Sequence, residues 1–386
     1  SCYNDFTMGK ILKRYLKKTV EQDLVERMVF VGGPRQAGKT TFALTFLSNA
    51  TESHPAYLNW DNIAIRSSLL KAQLPPNQKC IVLDEIHKFA RWRNLVKGFY
   101  DSNKSSVSFL ITGSARLDYY SKGGDSLQGR YHYYRLHPLS LNELNVNPTH
   151  DDFKRILRFG GFPEPCLKGE ERFWRRWQNE RVRRVIYDDI GLLENVREIS
   201  LLELLAEELP NRVGAPLSVK NLKELLNVSH ETADRWIRIF ERMYYCFRIA
   251  PYGAPKIRAV KKEQKLYLWD WSLVSEPGPR FENFIASHLL KLCHFREDTE
   301  GFKMELRFLR DTDKREVDFV VLEEGKPLFA VECKTGAKSI SPSIYYFKER
   351  TDIPIFFQVH EQKDDYVKNG VRVLPAHTFC REMKLP

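Results

Sequence analysis

The sequence predicts an α/β protein of roughly two to four domains, and three observations support this fold class. A strand-like apolar run, a glycine-rich loop and a helix-like run follow one another between residues 28 and 47. Two further apolar runs, Cys80–Leu83 and Phe109–Ile111, end in polar residues, as buried parallel strands commonly do. Near the C-terminus, two apolar strands are joined by a short turn between residues 315 and 335.

The glycine-rich loop spans Gly33–Thr40 and reads G-x-x-x-x-G-K-T, the pattern of phosphate-binding loops. Its glycines let backbone N–H groups turn onto phosphate oxygens, and the following helix adds partial positive charge. Lys39 is predicted to reach the β- and γ-phosphates, and the Thr40 hydroxyl to bind Mg²⁺. A glycine-rich turn without a ligand is the alternative, but the flanking strand and helix favour a nucleotide site. Its predicted residues are Gly33, Gln36, Gly38, Lys39, Thr40 and Thr41.

Two acids, Asp84 and Glu85, close the second buried strand. Parallel α/β sheets bind ligands at the carboxyl ends of their strands, so Asp84 is predicted to hold Mg²⁺ through water and Glu85 to polarise the attacking water. A simple helix cap is the weaker interpretation. At the end of the next strand, Thr112 or Ser114 is placed to sense the γ-phosphate. A position for that strand between the other two would match the nucleotide hydrolases with an additional catalytic glutamate.

Arginines at two places are candidates for contact with the nucleotide. Arg130 precedes the strand-like run 131–136, and it either supplies charge to a nucleotide on a neighbouring subunit or is an ordinary loop arginine. In the basic helix around residues 174–184, one arginine is a candidate lid residue and the others are surface charge. A further basic helix is predicted around residues 10–18, with leucines and valine at four-residue spacing as far as Leu24. Its basic face is expected to be solvated, and contact with a phosphate backbone is the weaker alternative.

Residues 217–237 read as a helix, a short turn and a second helix, with Ser229 as the N-cap of the second helix. The strand expected at 244–249 completes a winged-helix pattern. The second helix carries acids as well as arginines, so DNA contact and packing between domains both fit this segment.

The C-terminal hairpin carries a set of charged residues within apolar strands. A period of two places Glu332 and Lys334 on one strand face, Asp318 lies on the partner strand, and Glu282 lies in an apolar helix upstream. This combination indicates a metal-dependent phosphodiesterase centre, in which Asp318, Glu332 and Glu282 hold Mg²⁺ or Mn²⁺. Lys334 would orient the attacking water or stabilise the pentacovalent phosphorus. A polar strand face with a Glu–Lys pair is the alternative, but burying such charges is costly unless they are paired or bind metal.

Composition indicates the partner and the compartment. Lys and Arg number 61 against 50 Asp and Glu, a net charge of +11, which favours an anionic partner, DNA first, although solubility alone also explains it. The seven cysteines contain no C-x-x-C pair, which fits reduced thiols in the cytoplasm better than a disulfide frame or zinc site. No apolar run is long enough to span a bilayer, so no membrane partner is expected.

Taken together, the motifs resemble prokaryotic and archaeal AAA-type ATPases whose C-terminal half is the region called DUF4143. The resemblance rests on motifs distributed over nearly the whole chain: GPRQAGKTT at 33–41, LDEIHK at 83–88, ITGSAR at 111–116, SLQGRYHYYRLHPLSLNEL at 126–144, GGFPE at 160–164, FENFI at 281–285, EVDFV at 316–320 and AVECKTG at 330–336. The chain departs from the family at Trp269–Trp271, where members often have an Asp-Thr-Gly-like turn.

The resemblance implies a domain order and two activities. It implies an AAA+ core at 1–138, a helical lid at 139–200, a winged-helix-like module at 201–255, a linker at 256–280 and a PD-(D/E)XK nuclease-like domain at 281–386. It also implies ATP binding by Lys39 and Thr40, Mg²⁺ handling by Asp84, water activation by Glu85 and a finger at Arg130, which would require a homo-oligomer.

Three functions follow as hypotheses. The first is an ATPase acting on DNA whose ATP hydrolysis controls the C-terminal nuclease site. The second is a non-cutting switch, in which ATP controls a nucleic-acid or protein interaction and the nuclease-like fold serves as a binding module. The third is a protein remodeller or signalling ATPase whose basic charge is incidental.

Overall fold

The computed structural model describes residues 12–113, 127–190, 198–253, 263–336 and 339–386. The chain divides into two compact units, Ser1–Pro138 and Leu139–Pro386. Ser114, one of the predicted nucleotide-sensing residues, lies outside the described residues. Within the described part of the chain, no helix combines the length and apolar character needed to cross a bilayer.

The first unit contains a parallel sheet of five strands in the order β2-β3-β4-β1-β5. The predicted position of the third buried strand, β4, between the two strands of the phosphate site is therefore confirmed. The elements are α1 Lys17–Asp23, β1 Met28–Gly32, α2 Lys39–Leu44, β2 Tyr57–Asn59, α3 Ile63–Leu70, β3 Cys80–Asp84, α4 Trp92–Asn103, β4 Ser108–Thr112 and β5 Tyr131–Arg135.

Apolar strands form the centre of the first unit. All five residues of β1 are buried, as are four of the five in β3 and in β4. Strands that are apolar on both sides are typical of parallel sheets whose two faces are covered by other parts of the protein. The predicted basic helix is shorter than expected, since α1 begins at Lys17. Arg14 is only 7% exposed, because its guanidinium donates hydrogen bonds to backbone carbonyls inside the unit.

The second unit begins with helices and ends in a mixed α/β region. Its helices are α5 Leu141–Leu144, α6 His150–Phe159, α7 Pro163–Lys168, α8 Glu171–Arg184, α9 Ile199–Glu208, α10 Val219–Leu226, α11 His230–Arg242, α12 Pro277–Glu300, α13 Pro342–Lys348 and α14 Ala376–Glu382. Its strands are β6 Cys246–Pro251, β7 Lys265–Leu268, β8 Met304–Arg310, β9 Glu316–Glu323, β10 Lys326–Lys334, β11 Phe356–His360, β12 Tyr366–Lys368 and β13 Val371–Pro375.

These strands form one mixed sheet in the order β12-β13-β11-β10-β9-β8-β6-β7. The helix–turn–helix is present as α10 and α11, and the Ser229 hydroxyl caps α11 by accepting from the Thr232 N–H. The strand that follows, β6, pairs with β7 and also with β8, so it belongs to the large sheet. Strand β7 lies where the sequence predicted a linker.

A tight contact in the second unit explains the glycine at position 160. Gly160 has φ +78°, and a Cβ there would lie 2.6 Å from Asp270 Oδ1 and 2.9 Å from Ser272 Oγ. Asp270 is buried, accepts from the Ser272 N–H and hydroxyl, and lies 4.0 Å from Arg181. Asp270 therefore caps a turn in the core, and Arg181, a candidate lid residue, is a buried partner of that turn.

Candidate functional site

The phosphate-binding loop joins β1 to α2 at the carboxyl edge of the sheet. Lys39 is 8% exposed, and its ammonium donates to the carbonyls of Gly33 at 3.0 Å and Pro34 at 2.7 Å. The loop therefore curls around the lysine. Among the described residues, no hydrogen-bond donor meets the buried Gln36 Oε1. Since buried polar atoms are normally satisfied, this oxygen marks a position where a ligand or water belongs.

Three hydroxyl groups converge on Asp84. The Thr40 hydroxyl donates to Oδ2 at 2.9 Å, Tyr57 to the same oxygen at 2.7 Å, and Thr112 to Oδ1 at 2.5 Å. Parallel pairing of β3 with β2 and β4 brings these side chains to one edge. Burial, followed by the Asp84 charge, raises the pKa of Tyr57, so its phenol stays a donor.

Tyr57 was missed by the sequence interpretation. The Asn59 amide donates to the Tyr57 hydroxyl at 3.1 Å, so β2 contributes a polar pair next to Asp84. The two-residue spacing of Tyr57 and Asn59 within a short strand was the available signal, because it places both on one strand face. Thr112, which is predicted to sense the γ-phosphate, donates to the carboxylate of Asp84.

Glu85 follows Asp84 in a left-handed backbone conformation, with φ 57°. Its carboxylate lies 3.2 Å from the Lys88 ammonium and 3.8 Å from His87 Nε2. Lys88 also bonds Asp61 at 2.5 Å. Burial lowers the pKa of Lys88, but Asp61 and Glu85 outweigh it and raise that pKa. A non-glycine residue held at positive φ is strained, and such strain commonly occurs at functional positions.

Arg14 is a second residue that the sequence interpretation did not assign to the site. It donates to the carbonyl of Ala37, inside the phosphate loop, at 2.8 Å and to that of His137 at 2.5 Å. The Tyr15 hydroxyl donates to the Arg135 carbonyl at 2.6 Å. The segment before α1 therefore ties the phosphate loop to the end of β5.

Arg130 lies at the opposite edge of the sheet from the phosphate loop. Its carbonyl accepts from the N–H of Met28, the first residue of β1, whereas the loop follows Gly32 at the other end. A five-residue strand spans roughly 13 Å or more, which exceeds the reach of an arginine side chain. Arg130 instead bonds Asp101 at 3.0 Å. Contact with the nucleotide of its own chain is excluded, and only a neighbouring subunit's nucleotide fits the predicted role.

The remaining predicted nucleotide-binding residues are placed as follows. Gly33 and Gly38 have positive φ, at 132° and 87°, which suits the turns of the loop. Thr41 is exposed in the first turn of α2. Thr40 and Asp84 lie side by side, and their hydroxyl and carboxylate oxygens, which are of the type that Mg²⁺ prefers, would hold the ion.

The predicted C-terminal centre comes together in the second unit, on α12, β9 and β10. The Lys334 ammonium donates to Glu332 Oε1 at 2.6 Å, so the predicted pair on one strand face is present. Asp318 Oδ2 accepts from the backbone N–H of Cys333 at 2.8 Å. Glu282 accepts from the Tyr267 hydroxyl at 2.7 Å. Asp318 and Glu332 are buried, at 9% and 5% exposure.

A buried lysine that the sequence interpretation did not consider occupies this centre. Lys265, on β7, is fully buried. Its ammonium lies 3.1 Å from Glu282 Oε1 and 3.4 Å from Asp318 Oδ1, and it also bonds Glu316. The two-residue spacing of Lys265 and Tyr267 indicates that both lie on one strand face, but the sequence interpretation assigned this segment to a linker.

The charged groups of the centre shift one another's pKa values. Burial lowers the pKa of Lys265, but the attraction of Glu282, Asp318 and Glu316 outweighs it and raises that pKa. Burial, followed by the Asp318 charge, raises the pKa of both Glu282 and Glu332. Burial and the Asp318 charge thus disfavour the ionised forms of Glu282 and Glu332, whereas the acids around Lys265 favour its ammonium form.

A divalent metal does not fit the centre as it stands. Mg²⁺ needs oxygen ligands at about 2.0–2.1 Å, whereas the Lys265 ammonium lies directly against Glu282 and Asp318. The other oxygen of Asp318 accepts a backbone hydrogen bond, and Glu332 pairs with Lys334. Over the ranges that the structure describes, no group of three or more His, Cys, Asp or Glu residues is arranged to hold a metal ion.

Comparison with protein families divides the chain in three. Residues 25–145 match the AAA domain. Residues 150–276 match the domain of unknown function DUF8612, and residues 277–379 match the domain of unknown function DUF4143. The chain thus carries a P-loop ATPase domain of the AAA class, which binds ATP, followed by two domains of unknown function. The predicted pairing of an AAA region with DUF4143 is confirmed, whereas the DUF8612 match was not anticipated.

Two proteins of similar sequence are described as uncharacterized proteins. One from Methanocaldococcus jannaschii is 25% identical over 354 residues, covering 82% of this chain and 77% of that protein. One from Mycobacterium tuberculosis is 22% identical over 328 residues, covering 82% of this chain and 72% of that protein.

Two solved structures show weak similarity. The Aeropyrum pernix Orc1 protein in complex with DNA has a TM-score of 0.35 and 13% identity, covering 72% of this chain and 95% of that chain. The Thermotoga maritima RuvB Holliday junction branch migration motor has a TM-score of 0.29 and 14% identity, covering 60% and 87%. These TM-scores are too low to carry an argument about fold or function.

Proposed function

We propose that this chain is an ATP-driven switch that acts on DNA, with ATP hydrolysed in the first unit and the second unit serving as a non-cutting binding module. The observation that supports the ATPase half is the cluster of Lys39, Thr40 and Asp84 at one edge of a parallel sheet. The AAA-domain match covers the same residues.

In this proposal each residue of the cluster has a defined task. Lys39 exchanges its bonds to the Gly33 and Pro34 carbonyls for bonds to the β- and γ-phosphates. Thr40 and Asp84 hold Mg²⁺, which offsets charge on the phosphates. Tyr57 and Thr112 fix the orientation of the Asp84 carboxylate. Gln36 and Thr41 flank the bound phosphates.

Glu85 orients and polarises the attacking water. For this it must leave Lys88, which lies 3.2 Å away. Because Lys88 also bonds Asp61, it keeps a carboxylate partner when Glu85 turns away. Lys88 therefore acts as a positioning residue that holds Glu85 until the nucleotide is in place.

The ATPase proposal is tested by two substitutions. Lys39→Ala is expected to abolish nucleotide binding, and Glu85→Gln to keep binding while lowering the turnover rate by at least about 100-fold, because general base contributions are of this size. The measurements are binding of a fluorescent ATP analogue and phosphate release. Exposed residues supply matched controls, Lys13→Ala and Glu52→Gln. Normal turnover in Glu85→Gln would reject the assignment of the water-polarising residue.

DNA is proposed as the partner from charge and its placement. The chain carries a net charge of +11. Helix α11, the second of the helix–turn–helix pair, exposes Arg235, Arg238 and Arg242 at helical spacing. Helix α8 exposes further arginines, namely Arg172, Arg175, Arg176, Arg183 and Arg184. Arginines spaced along an exposed helix suit phosphate contacts. Several of them pair with neighbouring acids, as Arg238 does with Asp234 at 2.6 Å, so moderate affinity is expected.

The DNA proposal is tested by binding at two salt concentrations with and without ATP. We expect affinity that depends on nucleotide and falls steeply between 50 and 200 mM salt, as it does for phosphate contacts. Arg235→Ala should weaken binding, and Lys220→Ala, on the preceding helix, supplies a control. Absence of binding at low salt would favour the protein-remodelling alternative.

One assay distinguishes the nuclease alternative from the non-cutting switch. It predicts cleavage of linear or supercoiled DNA with Mg²⁺ or Mn²⁺ and ATP, with loss of cleavage in Lys334→Ala. We favour the non-cutting switch because Lys265 lies against Asp318 and Glu282, two of the proposed metal ligands. Products that depend on Lys334 would overturn this preference.

A further inference from the structure

The acidic centre of the second unit joins elements that are distant in sequence. Glu282 comes from α12, Glu316 and Asp318 from β9, and Lys265 from β7. Strand β7 lies at the end of the sheet and pairs with β6, not with β9. The contacts made by Lys265 therefore connect an edge strand to a central strand and to the long helix that packs on the sheet.

Each of these three carboxylates has a donor within the protein. The Lys265 ammonium contacts Glu282, Glu316 and Asp318. Arg310 adds a bond to Glu316 at 2.6 Å, and Tyr267 adds one to Glu282. Buried charges are tolerated when they are paired and hydrogen-bonded. An ammonium fully out of water among three carboxylates supplies the positive charge that a metal ion would otherwise bring.

We propose that Lys265 is an internal cation that replaces a metal ion in this centre, so that the acids clamp β7, β9 and α12 together. The acids that look catalytic in sequence thus have a structural task. The proposal shares the contacts of Lys265 with the non-cutting assignment of the second unit, whereas its tests involve neither ATP nor DNA.

The first test uses the full chain without nucleotide. Mn²⁺ is titrated into the wild type and into Asp318→Asn, and free Mn²⁺ is followed by electron paramagnetic resonance. We expect the two proteins to bind the same amount of Mn²⁺. A site in the wild type that disappears in Asp318→Asn would overturn the proposal. This arm needs no variant of Lys265 and remains informative if such a variant fails to fold.

The second test removes the ammonium. Lys265→Met is expected to lower the melting temperature by roughly 10 °C, because breaking a buried ion cluster leaves its acids uncompensated. Added Mn²⁺ should restore part of this loss, whereas Mn²⁺ should leave the wild-type melting temperature unchanged. A Lys265→Met protein as stable as the wild type would contradict the clamp.

Lys291→Met is the matched control. Lys291 is also buried in the second unit, at 2% exposure, and forms an ion pair with Glu143. Its loss should lower the melting temperature without recovery in Mn²⁺, because a single carboxylate does not form a divalent-ion site. Equal recovery of both variants in Mn²⁺ would also overturn the proposal, since the effect would then not belong to this centre.

Discussion

Arg14 lies in a segment whose sequence suggests a solvated basic helix, yet it is among the most buried charged residues of the first unit. Its guanidinium joins the Ala37 carbonyl of the phosphate loop to the His137 carbonyl after β5. The planar guanidinium presents several N–H donors in a fixed arrangement, so it can bind two carbonyl oxygens at once. The role of Arg14 is therefore to hold the phosphate loop in shape.

We predict that Arg14→Ala destabilises the first unit by about 1–3 kcal/mol, because two buried carbonyls lose their donor. ATP should also bind more weakly, since the loop loses a support. Arg14→Lys is expected to recover part of both effects. Thermal unfolding and ATP-analogue titration measure them. The neighbouring Lys13 is exposed, so Lys13→Ala should change stability by less than about 0.5 kcal/mol. Equal behaviour of the Arg14 and Lys13 variants would contradict the assignment.

At the scale of elements, the turn out of β1 depends on Gly33. Its φ is +132°, and an added Cβ would lie 2.4 Å from the backbone oxygen of Leu136. Backbone atoms cannot rotate away as a side chain can. The phosphate loop and the end of β5 therefore pack closely enough that only glycine fits.

Gly33→Ala is predicted to destabilise the first unit by about 2–4 kcal/mol, from steric overlap and strain. Gly98→Ala is the matched control, because Gly98 is an exposed residue of α4 and its added Cβ would meet nothing within 4 Å. That change should stabilise the protein by about 0.5–1 kcal/mol, through helix propensity. Unfolding midpoints of both variants give the comparison. Similar effects of the two substitutions on the unfolding midpoint would show that the close contact at position 33 does not require glycine.

At the scale of the whole molecule, the position of Arg130 determines whether ATP hydrolysis needs more than one chain. Arg130 lies at the amino edge of the parallel sheet, beside Asp101, and away from its own phosphate loop. A role in hydrolysis therefore requires a second subunit that presents its amino edge to the nucleotide.

A mixing experiment tests this role. Lys39→Ala lacks a working nucleotide site but keeps Arg130, and Arg130→Ala has the reverse defect. Each variant alone should be nearly inactive, and an equal mixture should regain activity, since mixed neighbours assemble one complete site. Phosphate release measures it. Full activity of Arg130→Ala alone would mean that Arg130 is an ordinary surface arginine.

The sequence was a good guide where function depends on neighbouring residues. Three features each form within one short segment: the phosphate loop, the strand ending in Asp84 and the C-terminal hairpin. Their residue patterns therefore predicted the secondary structure and the strand ends at which the polar side chains lie. The α/β class and the position of β4 between β3 and β1 are confirmed. The roles of the site residues stay predictions.

What only the tertiary structure decided involves residues far apart along the chain. Lys265 meets Asp318 across 53 positions, and Arg14 meets His137 across 123. The periodicity of apolar residues along the sequence does not predict such contacts, because they arise from the strand order of the sheet and from packing. The sequence alone thus determined that the chain has a nucleotide loop and an acidic hairpin. The fold decided that Arg14 and Tyr57 support the first, and that a lysine, not an open metal site, faces the second.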